Sequence, residues 1–335
     1  MLPLPRGGSG SAGGRLERRL RLVFESRREP VTITWLEGAS ARPHPDRLRR
    51  ALDLTERCRP PGVETNHVLR TSGHLLDDDR CAFLGANNVL VGLLWDGPDR
   101  DRVPAAARLL RRHGADCNLI CPVRAHDADR PLELYRYLRD EVGVRCLQFV
   151  PVVEQAAGTG PAGAVTGRTV RPRQWGDFLI AVFDEWVRRD VGTQFVRTFE
   201  AALASWLQPA RRARAPDAGR PGALPVHCRC CSVLFACEAG HPGDRFAVAP
   251  DGEPGLNHLC GGYRAFFQHI DQPMRVMAAL KRLGHDAGEV MRITARYERD
   301  NRAERPPGLS SGTGDPRARS AGRRSMVHPA PLRPS

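Results

Sequence analysis

Residues 227–246 read HCRCCSVLFACEAGHPGDRF and hold four cysteines and two histidines. Cys228, Cys231 and Cys237 are spaced C-x2-C-x5-C, and Cys260 follows downstream beside Gly-Gly-Tyr. The C-x2-C pair sits on one tight turn, so both sulfurs can face one metal centre. Four thiolates suit a tetrahedral zinc or an iron–sulfur cubane, and the spacing leaves both open. Cys230 adjoins Cys231 and is expected to point away from it. His241 is an extra candidate ligand, although a surface histidine is the commoner case. Cys58, Cys81, Cys117, Cys121 and Cys146 lie singly in helix or strand patterns and read as small buried apolar residues.

The elements that must position these thiols alternate. PVTITW, VETNHVLRTSG, VLVGLLWDG, DCNLICPV and VRCLQFVPVV read as strands, several of them apolar on both faces. RLERRLRLVFESR, HPDRLRRALDLTERC, DDDRCAFLGANN, VPAAARLLRRHG and PLELYRYLRDEVG read as the helices between them. Such alternation predicts a parallel sheet covered by helices, with its site at the C-terminal ends of the strands. The loops to inspect are LEGASA, LRTSGH, WDGPDR and PVVEQ. Beyond residue 156 the pattern turns helical, with RQWGDFLIAVFDEWVRRDVG and QFVRTFEAALASWL as two amphipathic helices. The expected organisation is a disordered leader over 1–14, a partial barrel over 15–155, a helical extension over 156–208, a linker over 209–225, a Cys-rich domain over 226–293 and a disordered basic tail over 300–335.

The net charge of +13 does not indicate a nucleic-acid partner. Lys281 is the only lysine, and many arginines fall in the linker and the tail. There is no helix-turn-helix, no RNA-binding aromatic motif and no basic stripe interleaved with aromatics. No apolar run is long enough to span a membrane, and the first twenty residues lack the apolar core of a secretory signal. The expected place is the cytoplasm, where thiols stay reduced and clustered cysteines signal metal rather than disulfides.

REPVTITW, SGHLLDDDRCAFL, VGLLWDGP, DRPLELYRYLRDEVGVRCLQFVPVVE, HCRCCSVLFACEAGHPGDRF and DGEPGLNHLCGGYRAFFQHIDQPMRVM follow in the order seen in anaerobic sulfatase-maturating enzymes. The chain resembles that family over roughly residues 17–291. These are radical S-adenosylmethionine (SAM) proteins with a SPASM domain. The resemblance implies a radical-SAM-type (β/α) barrel followed by a small Cys-rich SPASM-like domain. It implies oxidation of a Cys or Ser of a sulfatase polypeptide to formylglycine, with a SAM-cleaving [4Fe–4S] cluster and two auxiliary clusters.

The second auxiliary [4Fe–4S] cluster maps onto Cys228, Cys231, Cys237 and Cys260; zinc is the alternative occupant. Remnants of the SAM site map onto Gly38, Ser72 and Asp96. The departures define what is expected to be lost. No cysteine precedes Cys58, so the C-x3-C-x2-C loop and the first barrel strand are expected to be missing. The W-Q-G-G-E-P loop appears as WLEGAS, with Ala39 where a carboxylate grips the SAM ammonium. L-Q-T-N-G appears as LRTSG, and S-x-D-G-P as LWDGP, with Leu94 and Trp95 expected near the nucleoside. The linker stands in place of the hairpin that ligates the first auxiliary cluster, whose fourth ligand aligns with His241. The expected function is thus a sulfatase-maturase homologue without catalysis as it stands. The alternative is a non-catalytic zinc- or cluster-binding module that recognises a peptide.

Overall fold

A computed structural model describes residues 2–3, 10–25, 30–37, 45–95, 97, 101–156, 164–208 and 224–303. Residues 1–293 form one compact unit and 294–335 a second, of which the described part, 294–303, is helical. In the first unit the strands are β1 (Leu2–Pro3), β2 (Val31–Leu36), β3 (Thr65–Thr71), β4 (Leu90–Leu94), β5 (Cys117–Val123), β6 (Cys146–Pro151) and β7 (Phe195–Val196). They form one sheet in sequential order, and every neighbouring pair is parallel. Parallel neighbours need crossovers, which α1 (Gly10–Glu25), α2 (Pro45–Cys58), α3 (Asp78–Ala86), α4 (Arg102–Arg112), α5 (Ala125–Ala128), α6 (Pro131–Arg136) and α7 (Pro172–Arg189) supply. Sequential order with a helical crossover between every pair of neighbours is the topology of an open (β/α) barrel.

The two faces of the sheet differ. Ile33, Trp35, Leu69, Leu93, Leu119 and Phe149 are buried against the helices. Across the other face one row runs Leu36, Arg70, Gly92, Asn118, Cys146 in register. The flanking Thr32, Asn66 and Cys146 are exposed, and Arg70, Asn118 and Gln148 are half-buried. The expectation of strands apolar on both faces holds in part, since this face also carries Val68, Leu90, Leu94, Ile120 and Val150, and Ile120 is buried. The exposed Cys146 also departs from the buried role expected of it, whereas Cys81 and Cys121 lie in the core.

Two further boundaries differ from expectation. A two-residue strand precedes β2, pairing Leu2 with Trp35 and Pro3 with Leu36, and α1 starts at Gly10, within the stretch read as a leader. The segment QFVRTFEAALASWL opens as a strand before turning into α8 (Arg197–Leu207). The Gln194 amide donates to the carbonyls of Val144 and Arg145, both at 2.9 Å, and the Phe195 N–H donates to Arg145 O at 2.7 Å. Those bonds stitch the segment to β6 before helical periodicity takes over.

Past α8 come two single-turn helices, α9 (Val226–Arg229) and α10 (Leu234–Cys237), a short hairpin of β8 (Ala247–Val248) and β9 (Pro254–Leu256), then α11 (Cys260–His269), α12 (Asp271–Arg282) and α13 (Glu289–Ala303). This segment shares its core with the barrel. Phe266 of α11 packs on Phe183 of α7 and Phe199 of α8, with ring centroids 6.2 and 5.8 Å apart. Helices α7 and α11 cross so closely that a Cβ on Gly262 would lie 2.0 Å from Pro172 O. The Gly-Gly beside Cys260 is thus a packing requirement at its second position. No helix among the described residues is long and apolar enough to cross a membrane.

Candidate metal centre and the barrel rim

The site is built from four short pieces of chain. The Val226 N–H at the head of α9 donates to Glu253 Oε2 at 2.6 Å, which fixes the turn carrying Cys228. The N–H of Cys231 closes that turn onto Cys228 O at 3.0 Å. Cys237 ends α10, and Cys260 begins α11 with its N–H on Asn257 O at 2.9 Å. Asn257 is buried; its Oδ1 accepts from Leu259 N at 2.8 Å and its Nδ2 donates to His241 O at 3.3 Å. Cys228, Cys231, Cys237 and Cys260 all line one cavity, whose wall is otherwise largely apolar, with Val233 and Leu234 on one side and Arg264 on another.

The thiols sense one another. Burial pushes Cys237 up to about 12, and the sulfurs of Cys260, Cys231 and Cys228 push the same way, against the pull of the Ala239 N–H. Cys228 is raised by burial, then by Cys260 and Cys231, and Cys260 by burial, then by Cys231. Such a set is neutral on its own, and a cation inside the cavity reverses the balance by favouring thiolates. Among the described residues no three His, Cys, Asp or Glu side chains converge tightly enough to hold a single ion. Sulfurs on one tetrahedral zinc stand about 3.8 Å apart. Four thiols lining one cavity are a donor set that suits a cubane or a single zinc.

Cys230 is exposed and lies outside the cavity lining. His241 also lies outside it, and its Nδ1 accepts from Gly243 N at 3.2 Å. Two supports carried no motif in the sequence. Arg245 donates to the carbonyls of Ala239, Glu238 and Gly240 at 3.1, 3.1 and 3.0 Å, holding the loop after Cys237. Arg264, one turn after Cys260 on α11, reaches the cavity wall.

At the strand ends of the barrel, Gly38 and Asp96 lie outside the described residues. Ser72 is half-buried, and its carbonyl accepts from Arg102 Nε at 3.1 Å. Trp95 is buried in the core, against Tyr137, with ring centroids 5.4 Å apart. Glu37, the residue after β2, accepts from Thr71 Oγ1 at 2.6 Å and pairs with Arg80 of α3. Both ends of that pair are nearly buried, so it ties α3 to the rim of the sheet.

The solved structure of native anSMEcpe with bound AdoMet superposes with a TM-score of 0.63 at 18% identity, covering 79% of this chain and 88% of that one. The same protein with AdoMet and the Kp18Cys peptide gives 0.62, covering 79% and 90%. The chain therefore shares the fold of that protein. In sequence, the chain is 29% identical over 338 residues to the serine-type anaerobic sulfatase-maturating enzyme of Bacteroides thetaiotaomicron, spanning 78% of this chain and 81% of that protein. It is 26% identical over 308 residues to the enzyme of the same name from Klebsiella aerogenes, 73% of each. The chain is thus a homologue of anaerobic sulfatase-maturating enzymes, as the motif order implied. No family model matches it.

Proposed function

We propose that this chain is a sulfatase-maturation protein that holds one auxiliary [4Fe–4S] cluster on Cys228, Cys231, Cys237 and Cys260, and that its partner is the Cys- or Ser-bearing segment of a sulfatase. One observation carries the reading: four cysteines from separate elements line the same cavity. The similarity to sulfatase-maturating enzymes supports the cubane over zinc. When bound, the cluster supplies one-electron redox capacity beside the barrel. The chain's own part is to keep water away with Val233 and Leu234, to offer the Ala239 N–H to the Cys237 sulfur, and to brace both with Arg245 and Asn257.

The 335 residues contain no C-x3-C-x2-C spacing, and Ala39 stands where the motif has its carboxylate. We infer that these residues alone do not cleave SAM. A peptide-recognising module without catalysis is the second reading, favoured by Thr32, Asn66 and Cys146, which stand exposed on one face of the sheet. Anaerobic reconstitution of the chain with iron and sulfide tests the first reading. Four iron per chain with a cubane absorption spectrum is expected. Replacing Cys231 by Ala should abolish it, and replacing Cys81 or Cys146 should not. Full metal content in the Cys231→Ala chain, or zinc held at one per chain in preference to iron, would overturn it.

A further inference from the structure

Arginines around the Cys-rich segment are mostly committed. Arg245 is tied to three carbonyls, Arg229 donates to Leu224 O at 3.1 Å, and Arg275 pairs with Asp271 at 2.8 Å. Arg264 is different. It lines the cysteine cavity, and among the described residues it has neither a carboxylate partner nor a hydrogen bond. Its place on α11, four residues after Cys260, sets both side chains on one helix face. An arginine with no anion of its own, placed in the wall of a four-thiol cavity, is a counter-charge awaiting an anion inside the cavity.

We propose that Arg264 supplies the positive charge that compensates the anionic cluster and thereby raises its reduction potential. The inference rests on the reading of the four cysteines as cluster ligands. Four thiolates leave a cubane net negative. Reduction adds one electron from an external one-electron donor, moves no atom or proton, and makes the site more negative by one charge. A fixed cation in the wall stabilises the reduced form more than the oxidised one, so its removal disfavours reduction. Arg264 is largely exposed, so water and salt screen it and the effect is moderate.

The test is a redox titration of the reconstituted full chain with dithionite and mediator dyes, read by electron paramagnetic resonance. Arg264→Gln is expected to lower the reduced-to-oxidised ratio at the parent's midpoint about tenfold, a downward shift of about 59 mV for a one-electron couple. Arg264→Lys keeps the charge and is expected to stay within about threefold of the parent. If Arg264→Gln holds its iron and poises like the parent, or if Arg264→Lys shifts as far as Arg264→Gln, the inference fails. If Arg264→Gln does not assemble, Arg264→Met is read with it. Loss of iron in both, with retention in Arg264→Lys, supports the compensating charge, and loss in all three overturns it in favour of a purely steric role. A parent chain that takes up no iron sinks the cluster reading itself, and that result is separate from the comparison of potentials among iron-loaded chains.

Discussion

Glu238 and Ala239 sit in the left-handed region, with φ of 49° and 59°, directly after Cys237. Each non-glycine residue held there costs on the order of 1 kcal/mol and persists only where its surroundings enforce it. Here Arg245 enforces it, and the result aims the Ala239 N–H at the Cys237 sulfur. Arg245→Ala is therefore expected to halve metal content or more after reconstitution while leaving the circular-dichroism spectrum of the barrel intact. Gly240 follows with φ of 61°, and a Cβ there would lie 2.6 Å from Asn257 Nδ2, so Gly240→Ala is expected to be worse. A second residue makes a pH prediction. Burial holds the His67 imidazole below its ordinary range, and its Nδ1 accepts from Trp35 Nε1 at 3.1 Å. The unfolded chain then takes up a proton near pH 6.5 that the folded chain refuses, so stability is full above that pH and is lost as pH falls toward the folded value. Urea midpoints measured from pH 7.5 to 5 should fall in the parent and fall less steeply in His67→Gln.

Among the elements, the crossing of α7 and α11 decides whether the Cys-rich segment docks. Gly262→Val is expected to cost about 3 kcal/mol or more, since Pro172 O and Gly176 N already touch the space. The neighbouring Gly261 has only Pro172 Cβ, at 4.0 Å, so Gly261→Ala is expected to be neutral or to gain up to about 1 kcal/mol of helix stability. Thermal unfolding of both variants checks the pair. The strands and helices of the barrel were legible because apolar runs alternate with amphipathic ones; β3 to β6 fall within the stretches read as strands, and β2 runs one residue past its own, to Leu36. The start of α8 was not, because QFV is extended by hydrogen bonds from residues fifty positions away. The four cysteines were legible through spacing and resemblance. Arg245 and Arg264 were not, because an arginine in a chain rich in arginine carries no signal until the fold shows what it faces.

For the whole molecule, the described strands pair in sequential order from β1 to β7, with the Glu37–Arg80 clasp at the rim of that sheet. Anaerobic incubation of the reconstituted chain with SAM and dithionite is expected to yield 5′-deoxyadenosine no faster than a protein-free control, as read by liquid chromatography; product above that control would refute the inference. The shared core carries a thermodynamic expectation as well. Phe149 of the sheet touches Phe178, which stacks on Trp175, which meets Tyr263 of α11, with centroids 5.1, 5.5 and 6.3 Å apart. Metal bound at the cysteines then stabilises strands far from it, and adding a chelator is expected to lower a single melting transition rather than split it in two.

That unbroken aromatic path has a bearing on descent. A segment with its own core can be cut from one gene and spliced into another, as many small metal-binding modules are. Residues 224–293 have buried their largest side chains, Phe266 and Phe267, against α7, α8 and each other, and Gly262 fits only the groove at Pro172 and Gly176. Such a segment is inherited with its barrel or lost with it. Changes at Pro172, Gly176 and Gly262 are then expected to be tolerated in concert and rejected singly, so the cysteines could outlive the barrel's own chemistry only for as long as that helix pair holds.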